Sequence, residues 1–246
     1  MIFRLFCKSI LLIALCVFSV CADTPTDQNA NAWLMYFGDH PLNSRWGIHA
    51  EGQFRRSDRG LQWQQLLLRS GINYQLNRYT TLTLGYAFVN NNPYGDVPAA
   101  ATFPENRIYQ QLWIRHAVGW LKLQHRARLE QRFVRVPLPG PQSPNDWMFR
   151  QRFRYMLRGD LPLPGTKRFY IGLYEEFFLA FGSHRGSRYL DQNRAYGALG
   201  MKLGQFEKLE IGYLYQYIPK ATVTEHNHTL QIALFSSRPL RKGAGQ

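Results

Sequence analysis

The chain has 246 residues, 15% of them aromatic, and a formal charge of +14 at pH 7. This length suits one all-β domain or two small domains. The three cysteines all lie within the first 21 residues, so a chain processed after residue 22 has no disulfide, thiolate metal site or cysteine nucleophile.

The first 22 residues have the pattern of a secretory signal peptide. Two basic residues precede an apolar run over 10–18, and the small residue Ala22 ends the segment. The apolar run is too short for a transmembrane helix. We expect cleavage after Ala22, with 23–30 as a short N-terminal segment. Acylation at Cys21 is a weaker alternative, because Val20 stands where a Gly, Ala or Ser is preferred.

Eleven segments with period-two alternation follow, separated by turn residues. Successive side chains of a strand point to opposite faces, so this period predicts β-strands. Along 121–133, for example, one parity is mostly apolar and the other is charged. Segment 170–181 is ambiguous, because its adjacent Glu175 and Glu176 must point to opposite faces. In chain order the predicted strands are 32–38, 46–55, 65–75, 81–88, 107–118, 121–133, 149–158, 170–181, 194–203, 209–217 and 229–235.

The connections between these segments fall into short and long classes, which alternate from the third strand onward. Outer-membrane barrels of Gram-negative bacteria show this asymmetry, with short periplasmic turns and longer extracellular loops. The short connections lie near 76–79, 119, 161–166 and 204–205. The longer ones, rich in Pro, Gly, Asn and Ser, lie near 91–104, 137–146, 182–187 and 219–225.

We therefore predict an all-β fold, an antiparallel transmembrane β-barrel over 31–237 with a C-terminal tail over 238–246. Single-chain bacterial barrels have an even number of strands. The eleven segments thus predict ten strands, if the first is not in the wall, or twelve, if two strands are merged.

Three features indicate that the apolar face points outward into lipid. Many segments are long enough to cross a bilayer when tilted. The charged face combines arginines with Glu51, Glu130 and Glu210, which suits a polar lumen. Aromatic residues, which favour the membrane interface, recur near strand ends: Trp33, Tyr36, Trp46, Trp63, Tyr74, Trp120, Trp147, Tyr215 and Tyr217. A soluble periplasmic β-protein with reversed faces is the alternative.

Several stretches resemble a known family of exported bacterial proteins. They are 32–40 (AWLMYFGDH), 46–55 (WGIHAEGQFR), 107–111 (RIYQQ), 125–132 (HRARLEQR) and 192–194 (QNR). Together they resemble the domain-of-unknown-function family 2490 (DUF2490) over nearly the whole processed chain. The resemblance implies export and an outer-membrane barrel, and it implies no activity.

Arginine and glutamate side chains of the charged faces form the main candidate site. They are Arg107, Arg126, Arg128, Glu130, Arg132, Arg150, Arg152 and Arg154. Guanidinium groups bind phosphate and carboxylate oxygens bidentately, so a small pore or an anion-binding barrel with a basic lumen is one interpretation. A plugged structural or adhesive barrel, filled by interlocking side chains and acting through the 91–104 and 137–146 loops, is another.

An enzymatic role is the less favoured interpretation. A lipid-acting hydrolase would need a serine beside a lipid-facing histidine such as His125, and no serine lies on that strand. No G-x-S-x-G, phosphate-binding loop or dinucleotide motif occurs, so we expect no catalytic residues and no cofactor. His226 and His228 share a strand face near Glu225, but a third metal ligand is not identifiable.

The expected partners follow from the barrel. They are outer-membrane lipid and the barrel-assembly machinery, which recognises an aromatic residue at the end of a last strand; Phe235 is the candidate here. Nucleic acid is not expected, because an exported chain rarely meets it. The sequence selects no ligand and no oligomeric state.

Overall fold

The computed structural model describes residues 24–136, 147–182 and 189–240. The predicted signal peptide, its cleavage site and the 137–146 connection lie outside the described residues. Within these ranges, no helical segment has the length and apolar character needed to cross a membrane. The strands are β1 (Thr26–Pro41), β2 (Trp46–Ser57), β3 (Gln62–Gln75), β4 (Thr80–Asn91), β5 (Phe103–Val118), β6 (Leu121–Arg135), β7 (Trp147–Pro162), β8 (Phe169–Phe181), β9 (Leu190–Lys202), β10 (Glu207–Pro219) and β11 (Thr224–Ser236).

These strands close into a single barrel. Each strand pairs antiparallel with its neighbours in sequence, and β1 pairs with β11 in parallel, with Thr26 opposite Thr224 and Gly38 opposite Ser236. The predicted antiparallel barrel is confirmed, but the prediction of ten or twelve strands is wrong. An even number is required only where both termini lie at the same rim, and here the parallel seam allows eleven wall strands.

The barrel has two different rims, which we call the loop end and the turn end. The loop end carries the connections 58–61, 92–102 and 220–223, and β6, β7, β8 and β9 reach the same rim at Arg135, Trp147, Phe181 and Leu190. The turn end carries 42–45, 76–79, 119–120, 163–168 and 203–206. The predicted alternation of short and long connections is confirmed except near 219–225, where β10 and β11 extend and leave only 220–223 between them.

The barrel is polar inside and apolar outside, as the alternation predicted. Glu130 and Arg128 are completely buried in the lumen, whereas Leu34 on β1 is 57% exposed on the outer face. An outward apolar wall with its strands paired around a closed ring satisfies the requirements of a lipid environment. The molecule is therefore built as a membrane β-barrel.

Outward-facing tryptophans mark both rims. Trp63 and Trp147 lie near the loop end, and Trp46 and Trp120 lie near the turn end. Rings at these two levels match the aromatic girdles of transmembrane barrels. Trp33 is the exception to the prediction, because it lies midway along β1 and faces the lumen, where it is 2% exposed.

The Tyr109 ring packs against the inner wall of the barrel at Gly85, close to two lumen arginines. The ring of Tyr109 occupies the space that a β-carbon at Gly85 would fill, so only glycine fits there. The Arg69 and Arg128 guanidinium carbons lie 5.3 and 5.0 Å from the centre of this ring. Cation–π attraction thus helps to hold two lumen arginines in place.

Candidate functional site

Glu130 on β6 is the centre of the lumen charge network. Its carboxylate accepts hydrogen bonds from Arg152 at 2.6 and 2.9 Å and from Arg154 at 2.9 Å. Arg69 and Arg128 approach the same carboxylate to 3.8 Å. Because Glu130 is fully buried, these contacts replace the water that its charge would otherwise need.

Two other buried carboxylates hold Arg107, Arg132 and Arg126. Glu105 on β5 accepts from Arg107 at 2.6 and 3.0 Å and from Arg132 at 2.5 and 3.0 Å. Glu176 on β8 accepts from Arg126 at 2.6 Å. It also accepts from Arg154, which therefore bridges two acids. Adjacent Glu175 points outward, which resolves the ambiguity of β8.

The structure thus brings seven of the eight predicted site residues together in the lumen. Arg150 is the different one: it is exposed and lines the cavity mouth, where its Nε lies 3.2 Å from the Met148 sulfur. Side-chain hydrogen bonds between strands hold most of these seven residues. The middle of the lumen is therefore filled by interlocking side chains, as in the second interpretation of the sequence.

Sequence reasoning did not select several lumen arginines, among them Arg55 on β2, Arg69 on β3, Arg158 on β7 and Arg194 on β9. Each is less than 10% exposed. The alternation did place Arg55, Arg69, Arg158 and Arg194 on polar faces, so the signal was present. Arg55, Arg69 and Arg194 lie outside the arginine runs of β6 and β7, and Met156 separates Arg158 from the run on β7.

Two of the cavities formed by the described residues share lining side chains in the lumen. The loop-end cavity has a volume of about 290 Å³, and the turn-end cavity has about 150 Å³. Four side chains line both cavities, and we call this set the septum: Gln53, Arg69, Arg154 and Arg194. Among the described residues the lumen is therefore narrowed by long side chains and is not a wide channel.

The loop-end cavity has a strong excess of positive charge. Its acidic lining residues are Glu105, Asp191 and Glu225. Its basic lining residues are Arg55, Arg69, Arg107, Arg132, Arg150, Arg152, Arg154, Arg194 and Lys220. In a narrow cavity such an excess concentrates small anions.

A bulge in β9 contributes to this lining. The register between β8 and β9 shifts at Phe178/Leu179, and Asp191 is left without a partner in the pairing. Asp191 and Gln192 consequently both line the loop-end cavity. The Asp191 carboxylate accepts from Arg152 at 2.9 Å. Bulges redirect side chains in this way next to functional sites.

The 92–102 connection folds inward over the loop-end cavity. The Tyr94 phenol donates to the Glu225 carboxylate at 3.0 Å, and the Asp96 backbone N–H donates to Asp27 at 3.2 Å. Burial, together with the neighbouring Glu225 carboxylate, raises the pKa of the Tyr94 phenol. The phenol therefore keeps its proton at neutral pH and remains a donor.

We expect Tyr94→Phe to loosen this connection. The substitution removes one hydrogen bond of about 1 kcal/mol, so a non-specific protease should cleave within 92–102 about fivefold faster. The measurement is the cleavage rate of the folded barrel in detergent. Tyr79→Phe, at the exposed turn-end rim, is the control and should leave the rate unchanged. Equal rates for Tyr94→Phe and the unmodified chain would show that the Tyr94–Glu225 hydrogen bond does not hold the connection in place.

The histidines singled out in the sequence lie on the outer face. His125 stacks on His116 with ring centroids 5.3 Å apart and contacts the Tyr155 hydroxyl at 2.8 Å. His226 and His228 contact the hydroxyls of Tyr215 and Tyr213, each at 2.6 Å. These pairs extend the aromatic surface of the barrel wall.

Comparison with known families agrees with the sequence resemblance. Residues 30–227 match the model of a family described as "Protein of unknown function (DUF2490)". The chain belongs to this family. The match covers every strand of the barrel at least in part.

One relative and one solved structure illustrate the range of similar proteins. An uncharacterized protein of Methylorubrum extorquens is 30% identical over 193 residues, covering 76% of this chain and 78% of the relative. The crystal structure of the siderophore receptor PirA from Pseudomonas aeruginosa aligns with 72% of this chain at 15% identity and a TM-score of 0.27. The chain covers 32% of that receptor.

Proposed function

We propose that this DUF2490 protein is an outer-membrane barrel whose loop-end cavity binds small anions. The observation that carries the proposal is the charge of the cavity, where nine basic side chains face three acidic ones. Arginine is the side chain best suited to phosphate and carboxylate groups, because its planar fork matches two oxygens at once.

Anion binding can be tested on the purified, folded barrel in detergent. Titration calorimetry with inorganic phosphate at low ionic strength should give saturable binding, and the affinity should fall as KCl is added because chloride competes and screens. Calcium chloride serves as the cation comparison and should give no saturable signal beyond that of KCl. Absence of binding by phosphate, sulfate and acetate alike would refute the proposal.

Outer-membrane residence is supported by the apolar outer wall and its two tryptophan levels. Separation of membranes on a density gradient should recover the processed chain with the outer membrane. Recovery of folded protein in the soluble periplasmic extract, without detergent, would contradict this location and the partners expected from it, lipid and the barrel-assembly machinery.

An anion-selective passage is the second candidate function, favoured by the two cavities that share lining side chains within one lumen. The septum side chains line both cavities. In a planar bilayer with a KCl gradient, we expect small conductance steps and a reversal potential of the sign that chloride flow gives. A reversal potential set by potassium would exclude the passage.

A further inference from the structure

The buried lumen arginines fall into two classes according to their partners. Arg107 and Arg152, like most of them, bond directly to a carboxylate. Arg55 and Arg194 have no carboxylate within 4 Å among the described residues, although they are only 7% and 8% exposed. Their charges are thus buried without a compensating charge in contact.

Glutamine side chains hold Arg55 in place. Its Nε, at 2.9 Å, and one terminal nitrogen donate to the Gln53 carbonyl oxygen, and its other terminal nitrogen donates to Gln65 at 2.7 Å. A guanidinium has five N–H donors, so these bonds leave one N–H on each terminal nitrogen. The glutamines fix the direction of the group while leaving its charge unbalanced.

Arg194 is oriented in a similar way. With the Gln192 amide in its hydrogen-bonding orientation, the amide oxygen accepts from Arg194 at 3.0 Å. The Arg194 guanidinium carbon lies 4.8 Å from the centre of the Phe178 ring. A neutral amide and an aromatic face again position the arginine without neutralising it.

The Trp33 ring contacts both arginines. Their guanidinium carbons lie 3.9 Å (Arg55) and 5.4 Å (Arg194) from the centre of the Trp33 ring. The indole N–H donates to Gln64 at 2.8 Å, which fixes the ring. Trp33, Arg55 and Arg194 all line the loop-end cavity.

We propose that a phosphate group binds in the loop-end cavity between Arg55 and Arg194, beside Trp33. The inference rests on the proposed anion-binding function and identifies its site and ligand class. An unpaired buried charge is strongly destabilising. One dianion neutralises the charges of Arg55 and Arg194, which both contact the Trp33 ring. Phosphate supplies that charge and enough oxygens for both guanidinium forks.

The cavity size limits what carries the phosphate. A volume of about 290 Å³ admits inorganic phosphate or a small phosphomonoester. Calorimetry with inorganic phosphate and, separately, glycerol 3-phosphate distinguishes a free ion from a phosphorylated small molecule. Binding of inorganic phosphate and tighter binding of glycerol 3-phosphate would each support a site for a phosphate group.

The test is phosphate affinity in Arg55→Gln and Arg194→Gln, with Arg150→Gln as the matched control. All three remove one positive charge from the lining of the same cavity. We expect each of the first two to weaken binding about tenfold or more, and the control to weaken it less than about threefold, as for a rim charge. Heat-modifiable migration on a gel verifies that each variant is folded.

Two outcomes overturn different claims. If the unmodified barrel binds phosphate and Arg55→Gln and Arg194→Gln weaken it no more than Arg150→Gln, the site assignment fails and the anion-binding function stands. If the unmodified barrel binds no anion, the function itself fails. Should a glutamine variant not fold, Arg55→Lys and Arg194→Lys keep the charge and lose the fork, and unchanged affinity in both would equally refute the site.

Discussion

Replacing Glu130 with glutamine is expected to lower the free energy of unfolding by about 3 kcal/mol. The substitution leaves Arg152 and Arg154 buried with one fewer negative partner. The expected loss lies at the lower end of the range for broken buried pairs, because these arginines keep Asp191 and Glu176 as second partners. The measurement is urea-induced unfolding of the barrel reconstituted in phospholipid vesicles.

The matched control for this experiment is Glu207→Gln. Glu207 also pairs with an arginine, at 2.7 Å, but its partner Arg238 is 68% exposed at the turn-end rim. Exposed ion pairs contribute about 0–1 kcal/mol, so this variant should unfold close to the unmodified barrel. Equal effects of the two substitutions would show that the lumen network is as well hydrated as the surface.

Placing an arginine on the outer wall at Leu34 should destabilise the barrel by about 2–4 kcal/mol. Leu34 lies midway along β1 and its cross-strand neighbours are Phe54 and Ile232. In a bilayer this position faces acyl chains, where no polar group can solvate a guanidinium. Unfolding in vesicles measures the loss.

Leu61→Arg is the control for the outer wall. Leu61 is even more exposed than Leu34, at 73%, but it lies in the 58–61 connection at the loop end. Its substitution should cost less than about 1 kcal/mol, as near the membrane interface. If Leu34→Arg and Leu61→Arg had the same small effect, the apolar wall would not face lipid.

The strands and the orientation of their faces could be predicted because one physical rule governs both. Successive wall residues alternate between the lumen and the exterior. Arg126, Arg128 and Glu130 therefore had to lie on one face, and Leu129 on the other. A shift of the register by one residue would have placed all three charged side chains in lipid. The arginine runs of β6 and β7 therefore identified the middle of the lumen without any structure.

What the sequence could not supply depends on contacts between distant strands. Arg55 is set apart by its partners Gln53 and Gln65. Arg194 is set apart because no carboxylate of the described residues contacts it. Neither property is visible in a strand pattern. Trp33 was predicted near a strand end because the predicted strand begins at 32, whereas β1 begins at Thr26 and places Trp33 midway along the strand. The strand number was missed because it depends on the direction of one pairing, between β1 and β11.

The parallel seam has a consequence for the ends of the wall. β1 starts at the loop end and β11 finishes at the turn end, so an odd number of crossings separates them. Epitope tags inserted just ahead of Thr26 and just behind Ser236 would be accessible to antibodies from opposite compartments. In the proposed outer-membrane location, we therefore expect surface display of a fused segment from only one end of the barrel.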